Sequence, residues 1–189
     1  KHNIPVTQTI MGYSTMKKDH AYFVGPIGGL GGRAANNLAK QTDMAIAVGT
    51  KLGDFTTGSW ANFENPNFQL VAINVARFDA SKHMAQSVIG DAKVSLMELS
   101  TALGDWKAPD NWYQKSRNEL KTWNEYVDKE SGPTNQKLPN YAHVVGAIYR
   151  KADPHDIAVT AAGGFVGEVV QIWRPKELNT HETEWGFSC

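Results

Sequence analysis

The residues best suited to chemistry lie in the string Asp54-Phe55-Thr56-Thr57-Gly58-Ser59-Trp60, which follows directly on an apolar run ending in Gly49-Thr50. A short buried strand over residues 44–48 that opens into a glycine-bounded, hydroxyl-rich loop is how an open α/β sheet presents ligand-facing groups. Thr56, Thr57, Ser59 and Trp60 are therefore candidates for a substrate-side or active-site wall. The same residue types also build a self-capping Ser/Thr turn with the tryptophan packed down.

Gly29-Leu30-Gly31-Gly32-Arg33-Ala34 fits the Gly-x-Gly-x-x-Ala dinucleotide pattern and opens a helix, with Asp54 at a plausible distance downstream for ribose hydroxyls. The preceding segment, residues 22–27, is short and interrupted by Pro26, which favours a glycine-rich structural turn over a phosphate cradle. Histidines stand at positions 2, 20, 83, 143, 155 and 181, none at the i, i+4 spacing that places two metal ligands on one helix face. His181 with Glu182 and Glu184 is the one local histidine and carboxylate cluster, read as a solvated or partner-facing segment. There is no Gly-x-Ser-x-Gly elbow, and the sole cysteine, Cys189, has no neighbouring base in sequence. No nucleophilic side chain stands out, and any catalysis is expected to borrow a cofactor.

With 189 residues, 41% of them apolar, the chain can bury one good core or one core and part of a second. Nineteen basic and nineteen acidic residues cancel, leaving no field to steer nucleic acid or anionic lipid, so neither nucleic acid nor membrane is expected as a partner. No apolar run reaches the roughly 20 residues of a spanning helix, and a cytoplasmic address is expected. The abrupt ends, Lys1 without an initiator methionine and Cys189 as a terminal thiol, suggest a fragment of something longer.

The elements that must position these residues follow one rhythm of strand, loop and helix through residue 105. Strands are expected over residues 4–9, 44–48, 68–75 and 87–91, and helices over 33–40 and 92–103, the last with Val94, Leu96, Met97, Leu99 and Leu103 on or near one apolar stripe that closes the domain, and stopped by Gly104. The third strand is apolar nearly throughout, which implies burial on both faces and a parallel sheet covered by helices. Residues 106–140 carry an aromatic stripe among compensating charges, with a helix over 112–129, and read as a connector that packs against a domain. A second unit follows, with a helix over 141–150 capped by Asn140, a buried strand over 157–161 and a helix over 166–173. The fold class is α/β: a doubly wound, Rossmann-like, mostly parallel sheet in residues 1–105, the connector in 106–140, and an incomplete second α/β unit in 141–189.

The opening Ile4-Pro5-Val6 strand, the glycine loop before an Ala-Asn-Asn helix, Asp43-Met44-Ala45-Ile46-Ala47-Val48-Gly49-Thr50 and Val88-Ile89-Gly90-Asp91-Ala92 together resemble the central domain of thiamine-diphosphate enzymes of the acetolactate synthase type. Thr160-Ala161-Ala162-Gly163-Gly164 and Trp185-Gly186-Phe187-Ser188-Cys189 resemble the opening of their pyrophosphate-binding domain. Within that superfamily, the strings around Thr56, Gly163 and Ser188 look most like the branch that hydrolyses a ring C–C bond of trihydroxycyclohexane-1,2-dione to 5-deoxy-glucuronate in myo-inositol catabolism.

That resemblance implies thiamine diphosphate anchored by Mg2+ in a parent enzyme, a small cyclic dione as substrate, and a homo-oligomeric assembly. It places Gly163, Gly164, Phe165, Ser188 and Cys189 on the cofactor side. A strand-to-helix turn requiring positive φ accounts for the glycines equally well. The glutamate that activates the cofactor and the Gly-Asp-Gly to Asn metal motif of the family have no counterpart in this sequence, since Gly90-Asp91-Ala92 and Gly104-Asp105-Trp106 lack the third glycine. The chain alone is therefore expected neither to hold the cofactor tightly nor to turn over. The alternative is a nucleotide-binding (NAD or FAD) or scaffolding α/β domain without catalysis of its own.

Overall fold

The computed structural model describes residues 1–184. Among them every strand pair is parallel. Strand β1 (Val6–Gln8) pairs with β2 (Phe23–Pro26), while β3 (Met44–Val48), β4 (Gln69–Asn74) and β5 (Gln86–Ile89) form a second sheet in that order. Helix α1 (Arg33–Gln41) crosses from β2 to β3, and single turns α2 (Asp54–Thr57) and α3 (Arg77–Ala80) follow β3 and β4. Helix α4 (Ala92–Leu103) follows β5, and α5 (Asp110–Glu130) leads into the second unit, α6 (Tyr141–Lys151), β6 (Ala158–Thr160), α7 (Gly164–Ile172) and β7 (His181–Thr183).

Local sequence explains most of these limits. In α1, Ala34, Ala35, Leu38 and Ala39 are buried, a small-residue stripe that lets the helix lie close to β2 and α5. Asp91 caps α4 by accepting from the Val94 N–H, and Gly104 ends it at φ 53°. Asn140 and His143 form a reciprocal capping box at the start of α6.

Four expectations need correction. The segment containing Pro26 is a fully buried strand: Pro26 stands last in β2, where its missing N–H interrupts no ladder bond, and its carbonyl accepts from the Gly32 N–H at 2.8 Å. The strand of the second unit is not buried, since Val159 is 76% exposed, and it has a partner the sequence reading missed, the three-residue β7. The apolar stripe of α4 is uncovered: no residue of that helix is buried, and Met97 is 62% exposed. Residues 54–57, read as loop, form one helical turn.

The connector is the spine of the molecule. Leu120 of α5 packs with Val24, Ala34 and Leu38, whereas Val127, two turns on, packs with Val145, Tyr149, Val169, Ile172 and Trp173. Trp123 lies between them and touches both clusters, so one helix side joins the central sheet to the second unit. The Arg33 guanidinium sits 5.6 Å from the Trp123 ring centre and 5.1 Å from that of Tyr126. A third cluster, Ile10, Val166 and Val170 with Leu30, closes the seam between α7 and the first half. Val24 and Val170 are fully buried, each contributing about 1.5–3 kcal/mol relative to exposure.

Candidate functional site

The hydroxyl-rich loop sits at the carboxyl end of β3, beside the loop that leaves β4. Thr57 is buried; its Oγ1 donates to the Gly53 carbonyl at 3.3 Å and accepts from the Trp60 N–H at 3.1 Å. Gly58 adopts the left-handed conformation at φ 60°, and Ser59 and Trp60 continue it at φ 52° and 72°. The Trp60 ring stacks on His83 from the next loop, with centres 4.2 Å apart and planes 23° apart, and also meets Phe63 and Phe68. The His83 Nε2 lies 3.1 Å from the Leu52 carbonyl, which it donates to in that tautomer. Leu52, Ser59, Trp60, His83 and Met84 all have positive φ, so five strained non-glycine residues gather at this carboxyl edge. Thr56 is half-buried and Ser59 exposed, leaving these two hydroxyls at the surface of the loop. Sequence reasoning missed His83, because a partner 23 positions from Trp60 carries no local signal.

The glycine turn is closed on itself. The Gly28 N–H donates to Asn36 Oδ1, Gly29 N–H to the Phe55 carbonyl, Gly31 N–H to the Gly28 carbonyl and Gly32 N–H to the Pro26 carbonyl. A Cβ on Gly28 would stand 2.1 Å from the Phe55 carbonyl oxygen, and one on Gly32 would stand 2.8 Å from Trp123 Nε1. With these four donors engaged inside the protein and Trp123 lying against Gly32, the turn reads as a structural link. The turn instead docks the loop after β3 onto the start of α1.

The second group of candidates lies at the carboxyl end of β6. Gly163 has φ 130°, and a Cβ on Gly163 or Gly164 would meet nothing within 4 Å, so this backbone at the amino end of α7 is open. Phe165 is 40% exposed and stands edge-on to Tyr141 at 5.5 Å. Thr160 Oγ1 donates to Thr183 Oγ1 at 2.9 Å, and the Glu184 N–H donates to the Thr160 carbonyl. Ser188 and Cys189 lie outside the described residues. Among the described residues no hydrogen bond or ring pair links Thr56, Thr57, Ser59 or Trp60 to Gly163, Gly164 or Phe165, so the two candidate groups are not brought into contact.

His181 is not solvated: it is 3% exposed, its N–H and carbonyl both bond Ser14 Oγ, its ring meets Tyr13 edge-on at 5.3 Å, and its Nε2 is buried without a partner. Burial holds the His181 pKa below the ordinary imidazole value, which favours the neutral ring. Burial also pushes the Tyr13 hydroxyl above the usual phenol range, against the opposing pull of Arg174.

Parallel strands, and a glycine turn feeding a small-residue helix that crosses to the next strand, define a Rossmann-like α/β domain. Residues 1–99 match the family described as "Thiamine pyrophosphate enzyme, central domain", more than half of the chain, and the chain belongs to that family. Across its whole length it is 33% identical to the 3D-(3,5/4)-trihydroxycyclohexane-1,2-dione hydrolase of Geobacillus thermodenitrificans, covering 33% of that protein. Hydrolases of the same name from Clostridium perfringens strain 13 (31% identical over 99% of this chain and 33% of theirs) and Clostridium tetani (32% over 100% and 33%) are similar to the same extent. The chain thus spans about a third of the length of the curated relatives it matches.

The family implies thiamine diphosphate, usually with a divalent metal. The open backbone at Gly163 and Gly164 fits the close approach of such a group at the amino end of α7. Among the described residues no group of three or more His, Cys, Asp or Glu side chains could hold a metal ion by itself.

Proposed function

We propose that this chain is part of a thiamine-diphosphate-dependent hydrolase that opens trihydroxycyclohexane-1,2-dione at a C–C bond to give 5-deoxy-glucuronate in myo-inositol catabolism. The observation that carries this reading is the reach of the similarity: it runs through the connector and the second unit, beyond residues 1–99, and the hydrolases compared carry one name. Bound thiamine diphosphate supplies the nucleophilic carbon and the electron sink that cleavage beside a carbonyl requires. Gly163 and Gly164 are the backbone positions that would lie against it, with Phe165 and Tyr141 as an apolar rim. Thr56, Ser59 and Trp60 are the candidate wall on the central domain, where exposed hydroxyls suit a polyhydroxylated ring and the stacked Trp60–His83 pair holds the loop in place. A cytoplasmic setting, Mg2+ as the metal and a homo-oligomeric parent belong to the same proposal.

The chain by itself is expected to be inactive, because it spans about a third of the length of the relatives it matches and, among the described residues, no group of three or more His, Cys, Asp or Glu could hold an ion by itself. Titration calorimetry of the chain with thiamine diphosphate and MgCl2 tests this: no binding in the micromolar range is the expected result, and micromolar affinity overturns it. The engaged N–H groups of Gly28, Gly29, Gly31 and Gly32 weigh against the nucleotide-binding alternative.

A further inference from the structure

Two segments far apart in sequence are zipped together: residues 13–18, which follow β1, and residues 174–181, which follow α7. The Lys18 N–H donates to the Pro175 carbonyl and the Asn179 N–H to the Ser14 carbonyl, both at 2.9 Å. Ser14 Oγ donates to the His181 carbonyl at 3.3 Å and accepts from the His181 N–H at 3.2 Å. Lys17 and Glu177 pair at 2.6 Å, and Lys18 Nζ donates to the Tyr149 hydroxyl. The two units do not depend on this zipper to stay together, because α5 joins them through Leu120, Trp123 and Val127, and Ile10 packs on Val166 and Val170. The zipper can therefore part as a local unit.

Closing it carries several costs. Ser14 and Asn179, which bond each other across it, both hold left-handed backbone, at φ 72° and 57°, a strained conformation for residues with a Cβ. Closure buries the His181 ring against Tyr13 with Nε2 unpartnered, and Gln8 Oε1 of β1 and Arg174 Nε of the second segment are buried without partners as well. Nor does a counter-charge await a proton on that ring. Glu182, the next residue of β7, is exposed on the opposite face, and β6 has no titratable side chain. The titratable groups of the first segment are Tyr13, which burial keeps protonated, and Lys17 and Lys18; those of the second are Arg174, Lys176 and Glu177. Glu177 is taken by Lys17, and Arg174 by Asp128. Burial is thus the one influence on the imidazole, and it opposes a charge there.

We infer that Ser14, Asn179 and His181 form a proton-operated latch: one proton on the His181 ring parts residues 13–18 from residues 174–181 while α5 keeps the two units joined. In the open form the ring titrates near its ordinary value of about 6.5, and in the closed form lower, so the open form gains as pH falls below about 6.5. The effect reaches further than the latch. Strand β7 pairs with β6 from His181 to Thr183, and β6 runs toward Gly163 and Gly164, so releasing His181 frees the strand that steadies the open backbone at the amino end of α7. The latch rests on packing and stands whether or not the hydrolase reading does.

Amide hydrogen exchange of the chain at pH 7.5 and 5.5, with the intrinsic rates divided out, tests it. The amides of Lys18, Asn179 and His181 should be less protected than those of Ala72 and Ile73 in the central strand β4 at both pH values, and their exchange should not respond to dilute urea, the mark of a local opening. Between pH 7.5 and 5.5 their opening should increase several-fold, with a ceiling of about tenfold for a single proton. In His181→Phe that increase should vanish. Protection and urea response equal to those of β4 would mean that these segments part only when the whole fold does, and overturn the latch. A change below about twofold overturns it too, as does an equal change in His181→Phe. If that variant does not fold, the His181 ring decides on the unaltered chain: an NMR titration midpoint below the ordinary imidazole value is expected, and a midpoint at about 6.5 in the folded protein overturns the inference.

Discussion

Asn36 and Gly28 bond each other in both directions: the Gly28 N–H donates to Asn36 Oδ1 at 3.0 Å, and Asn36 Nδ2 donates to the Gly28 carbonyl at 2.9 Å. One side chain of α1 thereby completes the turn that leads into it, and the same Oδ1 accepts from Asn62 at 3.2 Å, tying in the loop after β3. The Asn36→Leu variant removes three hydrogen bonds and strands the Gly28 donor. A loss of about 2–4 kcal/mol is expected, read as a lower urea midpoint at unchanged slope.

Gly28 and Gly163 both have positive φ, 117° and 130°, but differ in their surroundings. Gly28→Ala must carry backbone strain and also a Cβ 2.1 Å from the Phe55 oxygen, whereas Gly163→Ala meets only strain. The expected costs are about 3 kcal/mol or more for Gly28→Ala and about 1–2 kcal/mol for Gly163→Ala, by thermal unfolding. Equal costs would show that the contact with the loop after β3 carries no energy.

The buried His181 makes stability depend on pH. Its folded pKa lies below the unfolded value of about 6.5, so the unfolded chain binds the proton first and stability is lost as pH falls from about 6.5 toward the lowered folded pKa. Between pH 7.5 and 5.5 the melting temperature of the chain should therefore fall more than that of His181→Phe, which keeps an aromatic ring against Tyr13 and cannot titrate. Parallel curves for the two proteins would remove His181 as the cause.

On α4, Met97→Lys should change the stability of the isolated chain by less than about 0.5 kcal/mol, because the side chain is 62% exposed. A loss of 2 kcal/mol or more in urea unfolding would mean that the stripe is buried in solution.

Sequence reading reached this fold through signals that act locally. The apolar runs of β3 and β4, the alanine stripe of α1, the Asn140 cap and the Gly104 stop each announce an element within a few residues. It failed where the deciding contact is distant. Pro26 is acceptable in β2 because it comes last in the strand, and β7 exists because three residues meet β6 across 23 positions. The uncovered α4 was read as closing a core because its periodicity shows which face is apolar and not what lies opposite. At the candidate site the pattern was the same: the Thr57 turn and the glycine step at Gly163 were legible, whereas the His83 stack on Trp60 and the burial of His181 under Tyr13 depend on the packing of separate loops.

The most direct test of the proposed function replaces the matching third of the Geobacillus thermodenitrificans hydrolase with this chain and measures hydrolysis of trihydroxycyclohexane-1,2-dione. The chimera should open the dione only when thiamine diphosphate and Mg2+ are present, and Gly163→Val in the same chimera should weaken cofactor binding. A folded chimera that binds thiamine diphosphate yet leaves the dione intact, while acting on a linear 2-oxo acid, would contradict the assignment.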